Sequence, residues 1–82
     1  MVSEQVRKLE EISKPLCEAT LNIIRNGHCS LSYIDECVKM ALDFMKRTEE
    51  LLVKYADSVE DCIIIRDIVQ RFKMLLEAIK NG

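Results

Sequence analysis

Turn-forming residues are nearly missing from this chain: two glycines and one proline in 82 residues. A chain so short of turn formers cannot reverse direction often, which excludes strand-rich sandwiches and barrels and leaves a few long helices. Tryptophan is absent and aromatic residues make up only 5%, so no row of rings is available to stack nucleic-acid bases. Neither sign of charge dominates: 12 basic against 14 acidic residues give a net charge of −2. Such a balance creates no field that draws phosphate backbones or anionic lipid. Long apolar runs are missing too. The longest, Cys62 to Ile65, covers four residues, whereas a membrane-crossing helix needs about 20. The opening Met1-Val2-Ser3-Glu4-Gln5 lacks the basic-then-apolar order of a signal peptide. These absences lead us to expect a soluble, cytoplasmic protein with no membrane contact and no direct nucleic-acid role.

What is present is apolar periodicity: 49% of the residues are hydrophobic, and they recur at helical spacing. In the first segment, Val2, Leu9, Ile12, Leu16, Ala19 and Ile23 trace one stripe, with steps of three and four from Leu9 onward. Ser3 is placed to cap its start, and Gly27 to supply the left-handed turn that ends it after Asn26. Pro15 removes a backbone donor inside this helix. Because the stripe keeps its phase across Pro15, the expectation is one kinked helix rather than two.

The second helix is expected to begin at Ser32, with Asp35 at capping-box spacing. Ile34, Val38, Ala41, Met45, Thr48, Leu52 and Tyr55 form its main stripe, with Cys37, Met40, Phe44 and Leu51 alongside. Ser58 and Asp61 repeat the capping spacing only two residues after Ala56, so the second and third helices must form a tight antiparallel hairpin. The third helix carries Cys62, Ile65, Val69, Phe72, Leu76 and Ile79, flanked by Ile64, Ile68 and Leu75. The β-branched run Ile63-Ile64-Ile65 favours a strand locally, but the helical period around it overrides that preference. The sequence therefore predicts one all-α domain over residues 1–82: an antiparallel up-down-up three-helix bundle, kinked near Pro15, with helices over about 3–26, 32–56 and 58–80.

Chemistry is thinly represented. His28 is the only histidine, and it neighbours Cys29 in a linker where adjacent side chains rarely converge, so no nucleophile–base pair is expected. His28, Cys29 and Cys37 fall near one another, but a fourth zinc ligand would have to come from the far end of the first helix or from the third, whose Cys62 lies at the opposite end of the bundle. Cys17, Cys29, Cys37 and Cys62 show no paired spacing, and reduced thiols are expected. Arg7, Arg25, Lys39, Arg47 and Gln70 imitate a carboxylate-binding lining. Each basic residue also suits a solvated face, in pairs such as Glu4–Lys8, Asp43–Arg47, Glu50–Lys54 and Asp67–Arg71. No catalytic residue, metal or cofactor is assigned.

The remaining signal is quantity. The second and third helices present apolar arcs of roughly 160° to 200°, wider than the stripe of somewhat over 100° that a lone bundle requires. Leu21, Val53, Ile63 and Met74 lie outside those arcs. A contiguous surplus of this kind marks an interface. The expected function is thus a non-enzymatic helical protein–protein interaction module, an adaptor or assembly subunit. It would self-associate as a homodimer, or receive an amphipathic helix of another protein, through Cys37, Met40, Phe44, Leu51, Ile64, Ile68 and Leu75. The alternatives are a small regulator contacting nucleic acid only as an oligomer, and a small helical enzyme with an interhelical pocket. Three-helix outlines serve adaptor domains and secretion-chaperone subunits alike, and fold does not fix function.

Overall fold

The computed structural model describes residues 1–27 and 29–81. It contains three α-helices: α1 (Glu4–Arg25), α2 (Leu31–Lys54) and α3 (Val59–Asn81). The described residues include no strand, so the Ile63-Ile64-Ile65 run is helical. At about 1.5 Å per residue each helix is roughly 35 Å long, and side by side they fill a body measuring 43 × 18 × 17 Å. The architecture is the expected all-α three-helix bundle.

Serines start all three helices, in different ways. Ser30, rather than Ser32, caps α2, its hydroxyl accepting from the Tyr33 N–H at 3.1 Å. The hydroxyl of Ser58 accepts from the Asp61 N–H at 3.3 Å. Ser3 has the extended backbone of a cap but makes no side-chain capping bond. Its N–H instead reaches across the fold to the Asp61 carboxylate at 2.8 Å. Gly27 ends α1 in the left-handed conformation (φ 73°), which a side chain would strain. α1 runs without a break through Pro15, which lies on its exposed face. There the Glu11 carbonyl left without an i+4 donor can be hydrated.

α3 is the centre of the bundle. α1 and α2 each pack along it, whereas the backbones of α1 and α2 barely approach one another. The core follows from this arrangement: Ile65, Ile68, Val69, Phe72 and Leu75 of α3 are buried, and the two outer helices turn small residues toward them. Cys17 and Ala41 join Ile68, Phe72 and Leu75 in one cluster, and Phe44 stacks on Phe72 with ring centroids 4.6 Å apart. The wide apolar arc of α3 is therefore consumed within the chain, because this helix has a neighbour on each side.

The stripe expected for α1 is displaced. The buried positions are Val6, Ser13, Cys17 and Thr20, roughly a third of a turn around the helix from the Ile12–Ala19–Ile23 line. Leu9 and Leu16 are half-buried, Ala19 is exposed, and Ile12 and Ile23 stand 53% and 46% exposed. Two hydroxyls make this possible. Ser13 donates to the Glu10 carbonyl at 3.0 Å and Thr20 to the Leu16 carbonyl at 2.7 Å. Both therefore enter the interior without an unpaired donor, and their small size lets α1 approach α3. Thr48 of α2 does the same with Phe44 at 2.7 Å.

Candidate functional site

The seven residues expected to form an interface divide between interior and surface. Cys37, Ile68 and Leu75 are buried, and Met40, Phe44, Leu51 and Ile64 are half-buried. Ile64, Ile68 and Leu75 belong to the core or pack against it, so the α3 half of the expected surface is already covered. On α2, Met40 and Phe44 also touch the core from one side, but together with Leu51 they keep a half-buried edge, and the structure sets this edge beside the displaced stripe of α1.

The side between α1 and α2 has an apolar hollow at each end. One, of about 290 Å³, is lined by Leu9 of α1 and by Phe44, Thr48 and Leu51 of α2, with Gln5, Asp43 and Arg47 at its edge. The other, of about 410 Å³, is lined by Ile23, Cys29, Ser30 and Tyr33. Between them the helical phase puts Ile12 and Leu16 on one wall and Met40 on the other. Gln5 closes one end: its side-chain oxygen accepts from the Tyr55 hydroxyl at 2.7 Å and the Lys54 ammonium at 3.0 Å. The rim carries opposite charges already paired, Asp43 with Arg47 at 3.0 Å and Glu4 with Lys8 at 3.4 Å. Tyr33 stands at the open end, where the Cys37 thiol raises its phenol above the ordinary value, aided by partial desolvation and by Cys29. Outside this face Leu31, Leu42, Val53, Val59, Ile63 and Met74 are exposed, scattered over both ends and the outer sides of α2 and α3.

A third hollow, of about 320 Å³, separates α1 from α3. Leu21, read from the sequence as lying outside the packed arcs, is one of its walls. Arg71 enters from α3 and donates to the Ser13 hydroxyl at 2.8 Å. The i,i+4 partner expected for it, Asp67, makes no ion pair with it. Helical spacing alone gave no sign of this cross-helix bond, since it depends on the rotation of α1.

The thiol chemistry is quiet. All four cysteines are free. Burial pushes the Cys17 thiol up from its ordinary value, with Arg71 opposing the shift only in part, so the group stays protonated and un-nucleophilic at neutral pH. Cys29 and Cys62 donate to the Ile23 and Tyr55 carbonyls, each at 3.3 Å. Among the described residues no three histidine, cysteine or acidic side chains converge as a metal site would require. His28 lies outside the described residues. Arg7 and Lys39 are exposed and join no cluster, while Arg25 edges the α1–α3 hollow. No helix among the described residues is long and apolar enough to cross a membrane. Compared with protein-family models, with curated proteins and with solved structures, the chain matches none.

Proposed function

We propose that this chain is a non-enzymatic helical interaction module that self-associates through the face between α1 and α2. One observation carries the reading: α1 and α2 both lean on α3 but scarcely meet each other. Leu9, Ile12, Leu16 and Ile23 are thereby left along one edge of an open strip, and Met40, Phe44 and Leu51 along the other. An elongated apolar strip between two antiparallel helices has the shape of a seat for a further helix. The partner best suited to it is a second copy. Two-fold pairing sets the same strip against itself, so each copy supplies the helix that the other lacks. The rim supports this, because its charges are internally paired and the net charge of −2 is too small to drive two copies apart.

Sedimentation equilibrium over a range of concentrations tests the proposal. The expected result is a monomer–dimer equilibrium that Ile12→Glu and Ile23→Glu each shift toward monomer while the helical circular dichroism is retained. Both side chains are about half exposed in the single chain, so their replacement leaves the core intact. A single monomeric species at high micromolar concentration would overturn the reading.

A further inference from the structure

We infer that the hollow between α1 and α3 is a binding site for a single-chain amphiphile with a carboxylate head, such as a medium-chain fatty acid. This inference is independent of self-association, which uses the opposite side of α1.

The walls are apolar. Cys17 and Leu21 from α1 face Leu75 and Ala78 from α3, and the side chain of Met74 forms the lip. At about 320 Å³ the space lies at the lower end of small-molecule sites, suited to one short chain rather than a ring system or a peptide helix. Its charges are one-sided: Lys14, Arg25 and Arg71 border it against the single carboxylate of Glu18. Among the described residues none of these three cations lies within ion-pairing distance of a carboxylate, although ion pairs form elsewhere on the same helices' surfaces.

Arg71 is the informative member. It is half-buried, and its one described hydrogen bond, to Ser13 at 2.8 Å, fixes the guanidinium at the wall of the hollow. A guanidinium carries five N–H donors in a planar fork, so most of its donor capacity remains for a ligand, and the fork matches the two oxygens of a carboxylate. Withdrawing a cation from water without a counter-charge is unfavourable. An anionic head at the mouth offsets that cost, while its chain covers the apolar walls. The combination of a tethered, half-buried cation and an apolar slot selects for a ligand with both an anionic head and an apolar tail.

The test is a titration of the full chain with decanoate below its micellar concentration, followed by amide NMR shifts. Decanol and decyltrimethylammonium serve as probes of the same chain length with neutral and cationic heads. The expected result is saturable one-to-one binding of decanoate that moves the amides of Cys17, Leu21, Leu75 and Ala78, with markedly weaker binding of the other two. Arg71→Gln should raise the Kd for decanoate about tenfold or more, the loss of a charge-assisted hydrogen bond. Arg25→Gln, at an exposed position that the fold does not need, should raise it a few-fold. Three outcomes overturn the assignment: equal affinity for the three head groups, absence of saturable shifts at the cleft amides, or shifts centred on Leu9, Phe44 and Leu51 of the opposite face.

Discussion

The carboxylate of Asp61, 3% exposed in the first turn of α3, accepts a hydrogen bond of 2.8 Å from the backbone N–H of Ser3, 58 residues earlier in the chain. This bond fastens the start of α1 to the start of α3. Burial alone would favour the protonated acid. The Ser3 N–H and the neighbouring Ser58 hydroxyl outweigh it and hold the carboxyl below its ordinary value of 3.8. A carboxyl depressed in the folded state contributes stability that is complete above its unfolded pKa and is lost as pH falls through the lower folded value. Urea unfolding of the native chain should therefore weaken below about pH 4. Asp61→Asn should be less stable at pH 7 and show a shallower decline in acid. Parallel acid limbs for the two proteins would show that the Ser3–Asp61 bond is not what couples stability to pH.

Phe72 is fully buried and stacked on Phe44. Phe72→Ala should cost about 3–5 kcal/mol, the usual range for emptying an aromatic site in a core. That is a large part of the 5–15 kcal/mol typical of whole domains. Leu52 stands differently. It was expected in the main stripe of α2, yet it is only half-buried and borders a groove between α2 and α3. Leu52→Ala should therefore cost about 2 kcal/mol or less. Thermal or urea midpoints of the two variants decide the order. Equal losses would mean that the α2–α3 packing is tighter than its half-buried margin implies.

Pro15 sits on the exposed face of a continuous α1. Pro15→Ala restores a donor to the Glu11 carbonyl and removes a residue about 3 kcal/mol worse than alanine in helix interiors. The gain is reduced by the extra freedom of the unfolded chain, worth up to about 1 kcal/mol. The expected outcome is neutral to stabilising, up to about 2 kcal/mol, read from urea midpoints. A marked loss would mean that Pro15 begins a helix of its own.

The fold class was legible because it rests on signals that accumulate over twenty residues: period, scarce turn formers, and serine at each boundary. The tight Ala56–Ser58 connection fixed the hairpin, and Gly27 fixed the end of α1. The rotation of α1 was not legible, because hydrophobicity ranks Ile12 and Ile23 above Ser13 and Thr20. It gives no weight to a hydroxyl that satisfies itself on its own helix. The spacing Val6, Ser13, Thr20 is a heptad in which two members are polar, a signal visible only when small size counts as much as apolarity. The same blind spot moved the candidate interface. Ile68 and Leu75 counted as surplus because the apolar arc of α3 is wider than one packed stripe; as the central helix it packs on both sides, and the accessible strip falls to α1 and α2. Arg71 was misread for a related reason, since Asp67 is near in sequence whereas Ser13 becomes near only after α1 has turned.

Ser13 provides the sharpest test of that rotation. It is wholly buried where α1 meets α3, and its hydroxyl accepts from Arg71 while donating to the Glu10 carbonyl. Ser13→Ala removes both bonds without adding volume, and should cost on the order of 1 kcal/mol. Ser13→Leu makes the helix more apolar, and would stabilise a protein in which this position faced a loosely packed seam. Here the added atoms have no space between the two backbones, and overpacking costs about 1–3 kcal/mol beyond the lost hydrogen bonds. Ser13→Leu should therefore be the less stable of the two in urea unfolding. The opposite order would return the core of α1 to the Ile12–Ala19–Ile23 line.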